Sequence, residues 1–362
     1  MSPPDPARLL VPPGAVGLEV AIRAWETVQA GGVVELSTNP GPPPADVTGP
    51  ALVLPTSGST GAPHRVVLPL TALATSAELG STHLGGPAGW LTAVPVTGVG
   101  GLLTVIRTLA AGERPRAIDS LGGATAFSAE GFLAAPEAAR VSLVPTQLHR
   151  ILRSPEATAR LATFGVVLVG GAPLAPALRQ RAEDAGVRVV ATYGATETGG
   201  GVVYDGTPLP GVTVTLAEDG EILIGGPTVA AGYADDPGSP RFHGSVFHSG
   251  DLGHLTDGTL IVTGRKDDTI KVGGEKVSLA RVTQHLLADP RVVDAAVVAT
   301  DSDEWGQAPA AYVVAVPGAG PGLIDELGEA VAATLGPRAR PLTMTLVPEI
   351  PTTSAGKPRR HA

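Results

Sequence analysis

Up to Gly201 the chain repeats one pattern: a short apolar run ends in a glycine-bearing loop, and a helix-compatible stretch follows before the next run. Ala51-Leu-Val-Leu-Pro55 delivers Thr56-Ser-Gly-Ser-Thr-Gly61, Gly165-Val-Val-Leu-Val169 ends in Gly170-Gly171, and Arg188-Val-Val-Ala191 leads into a loop at Tyr193-Gly194. Residues 69–80, 100–111, 147–153 and 175–185 carry the helical patterns between such runs. Strands alternating with helices predict an α/β fold built on a mostly parallel sheet. Ligands of such sheets gather at the carboxyl ends of the strands, where the Thr56 and Tyr193 loops both fall.

After Gly201 the texture changes. Short β runs at 212–216, 221–224, 246–248 and 260–263, separated by Gly, Asp and Pro, predict a small antiparallel barrel or sheet. Beyond Arg265 come a hairpin over 270–277, a helix over 278–288, strands at 292–300 and 310–316, and a helix over 324–335. The Gly/charged segment 264–268 has no apolar residue, which places a domain boundary there: residues 1–264 form a large N-terminal domain and 265–362 a small α+β domain.

Composition narrows the function classes. With 43% hydrophobic residues the chain is globular, and with only 3% aromatics its core must be mostly Val, Leu and Ala. A net charge of −9 without a basic patch argues against nucleic acid as a partner. It also means that an anionic ligand must be held by local donors rather than by the overall field. The absence of cysteine excludes disulfides, thiolate nucleophiles and cysteine-ligated zinc. No basic region leads into an apolar run after Met1, and no stretch reaches 18 uninterrupted apolar residues, so a soluble cytoplasmic protein with no membrane insertion is expected. Lysine occurs only at 266, 271, 276 and 357 in a chain rich in arginine, which enriches those four positions for specific roles.

The loop Thr56-Ser-Gly-Ser-Thr-Gly-Ala-Pro-His-Arg65 has the chemistry of a phosphate cradle. Glycines let backbone N–H groups approach an anion, hydroxyls add donors, and a cation closes the cradle. It is not a Walker A loop, because G-x-x-x-x-G-K-[ST] cannot be fitted to it. Further along stand Ala191-Thr-Tyr-Gly-Ala-Thr-Glu-Thr198, Ser249-Gly-Asp251, Thr263-Gly-Arg-Lys-Asp-Asp-Thr-Ile-Lys271 and Pro351-Thr-Thr-Ser-Ala-Gly-Lys357. In this order the five segments resemble the core motifs of the acyl-adenylate-forming superfamily, which includes acyl- and aryl-CoA ligases, peptide-synthetase adenylation domains and luciferases. The resemblance runs from Ala51 to the C-terminus.

That resemblance implies two steps: a carboxylate attacks the α-phosphate of ATP to give an acyl-adenylate, and a thiol then attacks the activated carbonyl. It implies ATP, Mg²⁺ and coenzyme A as cofactors and a small carboxylic acid as substrate, and leaves monomer and homodimer both open. Thr56, Ser57, Gly58, Ser59, Thr60 and Gly61 would grip phosphate, with His64 standing where the family usually has lysine and Arg65 one position beyond. Tyr193 and Gly194 would meet the adenine, Thr196 the α-phosphate and Glu197 the metal. Asp251 and Arg265 would hold the ribose, and Lys357 would bridge the attacking carboxylate and the α-phosphate. Asp267 matches the hinge about which a mobile C-terminal domain rotates. Lys271, Gly273 and Gly274 belong to the segment that rotation brings to the thioesterification site.

By the same resemblance, Gly170, Gly171, Ala172 and the helix after Pro145 line the acyl pocket. Val141-Ser-Leu-Val-Pro-Thr-Gln-Leu-His-Arg150 looks most like the o-succinylbenzoate–CoA ligases of menaquinone synthesis, short actinobacterial members included. Thr146, Gln147 and Arg150 are then donors for a second carboxylate or a ketone, with ordinary helix surface as the alternative. Gly98 stands where that group commonly has histidine. An aryl or fatty acid–CoA ligase, or a catalytically weak nucleotide-binding homologue, stays open beside the leading reading.

Overall fold

The computed structural model describes residues 7–10, 17–37, 47–56, 64–121, 127–320 and 322–350, arranged around four sheets. In the first, Ala7–Leu10, Val33–Ser37 and Ala51–Pro55 run parallel. Arg65–Pro69 and then Gly232–Tyr233 join it antiparallel. The second has seven strands. Arg116–Ala117, Trp90–Thr92, Arg140–Leu143, Val166–Val169 and Val189–Ala195 lie side by side in parallel, and Gly200–Tyr204 and Thr207–Pro208 add an antiparallel margin.

The apolar runs of the second sheet form strands because both of its faces are covered. Val166–Val169 is buried at every position, and Trp90, Leu91 and Thr92 are fully enclosed. The helices Leu70–His83, Val99–Ala110, Pro145–Ile151 and Pro176–Asp184 fall where the sequence pattern places them, within a few residues. Gly17–Gln29 is a helix that the strand-centred reading passes over, although its buried Ala21, Ala24, Trp25 and Val28 recur at helical spacing. Arg107 in Val99–Ala110 is 2% exposed; it donates to the Tyr204 hydroxyl at 2.9 Å and lies 5.3 Å from the Trp90 ring.

Thr213–Leu216, Glu221–Gly225, Phe242–His243, Val246–Thr256 and Thr259–Arg265 make the third, wholly antiparallel sheet. The fourth comprises Thr269–Val272, Glu275–Ser278, Val292–Ser302, Gly306–Ala315 and Thr343–Leu346, with helices Leu279–Ala288 and Leu323–Leu335 packed on it. The α/β class with a separate C-terminal sheet is therefore as the sequence predicts. Tyr193 differs: it lies inside Val189–Ala195, not in a loop, because Gly200–Tyr204 pairs with that strand and extends it. That pairing needs Gly194, where a Cβ would come within 2.1 Å of the Gly200 carbonyl oxygen. Among the described residues no helix is long and apolar enough to cross a membrane.

Candidate active site

Strands Ala51–Pro55 and Arg65–Pro69 pair antiparallel up to Pro55 and Arg65, and the Thr56 amide donates to the His64 carbonyl at 2.8 Å. The phosphate-type loop is therefore clasped at its base. Ser57, Gly58, Ser59, Thr60 and Gly61 lie outside the described residues. Thr56, expected as a phosphate donor, turns its hydroxyl to the His64 carbonyl at 3.3 Å. His64 Nδ1 is 3.1 Å from Asp235 Oδ2, and its ring stacks on Tyr233 with centroids 4.4 Å apart. Burial pushes the Asp235 carboxyl up, but donation from the Arg65 amide, its own backbone and His64 outweighs this and leaves it more acidic than usual.

Arg65 requires a correction. Its Nε and Nη2 donate to Glu35 Oε1 and Oε2 at 3.0 and 2.7 Å, and Glu35 is 3% exposed. A buried carboxylate demands a partner, so this guanidinium is committed to Glu35 and does not stand in for the missing lysine.

Three of the sequence segments converge on one carboxylate. Asp251 and Arg265 face each other across the hairpin of the third sheet, with Arg265 Nη1 donating to Asp251 Oδ1 at 3.0 Å. Tyr193, on the second sheet, donates its hydroxyl to Asp251 Oδ2 at 2.8 Å. The Asp251 amide donates to Ser249 Oγ, which in turn donates to the Ile222 carbonyl. Burial raises the Asp251 carboxyl above its ordinary range, opposed by the Tyr193 hydroxyl, Arg265 and Arg241. Burial, and then the Asp251 charge, push the Tyr193 phenol far up, which keeps it a donor. Arg265 also binds Asp267, Nε to Oδ1 at 2.8 Å, so the candidate ribose arginine and the candidate hinge aspartate share an ion pair.

Thr196 and Glu197 form a single 3₁₀ turn ending at Thr198, whose hydroxyl accepts from the Ala195 amide at 2.8 Å. Thr196 is half-buried and Glu197 is 6% exposed. Glu197 Oε1 accepts from the Tyr233 hydroxyl at 2.8 Å. Tyr233 thus touches Glu197 with its hydroxyl and His64 with its ring.

The acyl-pocket expectations fare unevenly. Gly170 is glycine because a Cβ there would lie 2.6 Å from Thr192 Cγ2, and Gly171 has φ +81, a conformation that favours glycine. Ala172 is exposed and Thr146 half-buried. Gln147 is not an available substrate donor: its Oε1 accepts from the Val144 amide at 3.0 Å and its Nε2 donates to the Ala93 carbonyl at 2.8 Å. Arg150 is likewise engaged. Its Nε donates to Glu349 Oε2 at 3.0 Å, its Nη2 to Glu349 Oε1 and its Nη1 to the Phe127 carbonyl at 2.9 Å.

In the fourth sheet Lys271 is exposed and sits directly opposite Lys276, and Gly273 and Gly274 make the intervening turn with φ +56 and +90. The Gly273 amide donates to the Trp305 carbonyl, which fixes that turn to its own sheet. Lys357 lies outside the described residues.

The family model for AMP-binding enzymes matches residues 15–234, and that for the AMP-binding enzyme C-terminal domain matches residues 282–357. The chain belongs to the AMP-binding enzyme family. A Mycobacterium tuberculosis protein named "probable 2-succinylbenzoate–CoA ligase" is 38% identical over 318 residues, 86% of this chain and 83% of that one. A Bacillus anthracis 2-succinylbenzoate–CoA ligase is 31% identical over 72% of this chain, which spans 59% of that protein. Among solved structures, the Bacillus subtilis o-succinylbenzoate CoA synthetase in complex with its acyl-adenylate intermediate superposes with a TM-score of 0.66 at 26% identity, covering 85% of this chain and 68% of that one. An amide bond synthetase from Marinactinospora thermotolerans gives 0.73 at 27% identity, covering 98% and 78%.

An AMP-binding enzyme of this kind implies Mg²⁺. Mg²⁺ keeps several waters and takes one or two carboxylates plus substrate phosphates rather than an all-protein cage. The donor set here fits: Glu197 supplies one carboxylate, with Oε1 accepting from the neutral Tyr233 hydroxyl rather than from a competing cation. Sequence reasoning missed Tyr233, Asp235, Glu35 and Glu349. Tyr233 alone carried a signal, as one of only four tyrosines, placed beside a glycine.

Proposed function

We propose that this chain is an ATP-dependent acid–CoA ligase that converts 2-succinylbenzoate to 2-succinylbenzoyl-CoA. The observation that carries the nucleotide half is the meeting of Tyr193, Asp251 and Arg265, residues from three separate segments, on one half-buried carboxylate. The relatives named for 2-succinylbenzoate support the acid.

A substrate carboxylate oxygen attacks the α-phosphorus of ATP, and the bond to the bridging oxygen breaks to release pyrophosphate. The coenzyme A thiol then attacks the acyl carbon, forming the thioester and releasing AMP. The first step brings anions together, so oriented donors and cations lower its barrier more than covalent help would. Bound Mg²⁺ supplies charge neutralisation at the phosphates, and Glu197 is the residue to hold it. Asp251 accepts from the ribose hydroxyls while Tyr193 and Arg265 fix its two oxygens. Thr196 donates to the α-phosphate, and the Ser57–Gly61 backbone and hydroxyls to the phosphates beyond it. Lys357 bridges the two anions.

The third sheet ends at Arg265 and the fourth begins at Thr269. This supports a division between an N-terminal AMP-binding domain, residues 1–264, and a mobile C-terminal domain, residues 265–362, with Asp267 as hinge. Lys271, Gly273 and Gly274 belong to the thioesterification step.

A second reading, a ligase of another acid, is favoured by one observation: Gln147 and Arg150, the donors expected for a second carboxylate, are engaged by the protein itself. AMP release driven by coenzyme A, compared across 2-succinylbenzoate, benzoate and a medium-chain fatty acid, separates the two. A preference of orders of magnitude for 2-succinylbenzoate is expected. Comparable turnover of benzoate would remove the substrate and keep the ligase, and failure of every acid to drive pyrophosphate exchange would remove both.

A further inference from the structure

Tyr233 has a placement that no simple packing role requires. It belongs to the two-residue strand Gly232–Tyr233 at the edge of the first sheet, in register with Val66 of the strand that leaves the phosphate-type loop. Backbone bonds on either side, the Ala231 amide to the Val67 carbonyl and the Ala234 amide to the Arg65 carbonyl, hold it there at 2.9 and 2.8 Å. Its ring is 2% exposed, stacked on His64 and met edge-on by Phe242 at 5.0 Å. From that anchorage the hydroxyl reaches a turn that follows a strand of the second sheet and donates to Glu197. One side chain thus ties the strand behind the loop to the carboxylate on the neighbouring sheet.

We propose that Tyr233 is a positioning residue for the Glu197 carboxylate, fixing one of its oxygens so that the other is held for the metal that accompanies the nucleotide; this rests on the reading of Glu197 as the metal ligand. Glu197 is on a short 3₁₀ turn and buried, so its carboxylate needs a donor inside the fold. A neutral donor on one oxygen fixes the plane of the group without adding a competing charge. Residues that orient a metal ligand in this way typically change metal affinity or activity by about 10–100-fold when removed. The stack on His64 sets the same ring against the residue at the base of the loop.

The test uses the full chain with Mn²⁺ as a paramagnetic probe and a non-hydrolysable β,γ-methylene analogue of ATP, with Mn²⁺ affinity read by electron paramagnetic resonance. Tyr233→Phe removes only the hydroxyl and keeps the stack. Mn²⁺ affinity should fall about 10-fold or more, with the KM for the acid unchanged and a raised Mg²⁺ requirement in turnover. Phe242→Leu disturbs the same aromatic packing without touching the hydroxyl, and should lower the Tm while leaving Mn²⁺ affinity intact. Should Tyr233→Phe not fold, 4-fluorophenylalanine at position 233 fills the same space without a donor and is read identically. Mn²⁺ affinity within about twofold of the parent in the donor-less variant overturns the inference. Glu197→Gln separates the two levels. If it weakens Mn²⁺ and loss of the Tyr233 donor does not, only the positioning role fails; if Glu197→Gln itself leaves Mn²⁺ binding unchanged, the reading beneath it fails.

Discussion

Replacing Arg150 by alanine cuts the ion pair that fastens the segment after Thr343–Leu346 to the helix Pro145–Ile151, and so to the second sheet's side of the molecule. The pair is bidentate and partly buried, with side-chain exposures of 27% and 35%. Fully exposed pairs contribute about 0–1 kcal/mol, whereas hydrogen bonds to charged groups contribute about 1.5–3 kcal/mol. A coupling of about 1–2 kcal/mol between Arg150 and Glu349 is the expected size, roughly a 5- to 30-fold change in the population of the docked arrangement. Asp294 adds a pH dependence. Burial, and after it the Glu349 charge, push its carboxyl up to about 6. Once Asp294 ionises, Glu349 without Arg150 faces a second anion, so the deficit of Arg150→Ala should deepen above about pH 6. Because Glu349 stands shortly before Lys357, adenylation should fall about 10-fold while transfer from preformed acyl-adenylate to coenzyme A is spared or quickened. Pyrophosphate exchange and thioester formation, measured separately on Arg150→Ala, Glu349→Gln and the double variant, give the coupling directly. A coupling below about 0.3 kcal/mol, or equal losses in both half-reactions, refutes the reasoning.

Lys357→Ala should abolish adenylation and leave thioesterification of preformed acyl-adenylate largely intact, since a cation is needed only where two anions meet; equal loss of both would remove the bridging role. His64→Lys should lower the KM for ATP several-fold, because Arg65 is committed to Glu35 and cannot already supply the charge; an unchanged KM would take position 64 out of the phosphate site. Asp294→Asn should stabilise the fold at pH 7. A carboxyl raised in the folded state contributes stability that is full below the unfolded pKa near 4 and is lost as pH rises through about 6. The gain should therefore be about 1–3 kcal/mol at pH 7 and vanish below about pH 4 in chemical denaturation. A gain independent of pH would point to packing instead.

Much of this chain was legible without coordinates because its signals are local. Val166–Val169 and Ala51–Pro55 are strands for reasons contained in their own residues: apolar runs too short for helices and closed by glycine or proline punctuation. The hairpin Thr269–Val272 to Glu275–Ser278 announces itself through Gly273-Gly274 in the same way. The order of five short motifs sufficed for the family, since each preserves a chemistry, whether donors for phosphate, an aromatic for a base or a carboxylate for a diol, that tolerates few substitutes.

Which groups are actually available was decided only by the tertiary structure. Arg65, Gln147 and Arg150 look in the sequence like donors awaiting a ligand. In the fold they are engaged by Glu35, by the Val144 amide and the Ala93 carbonyl, and by Glu349, partners up to 199 residues away. The physical reason is desolvation. A polar group carried into the interior must find a partner or lose more than a hydrogen bond returns, and that partner is chosen by whichever strand or helix the fold brings alongside. The same rule gave Glu197 its phenol: Tyr233 is a lone aromatic in the sequence and becomes part of the site only when the edge of one sheet is laid beside the turn that leaves another.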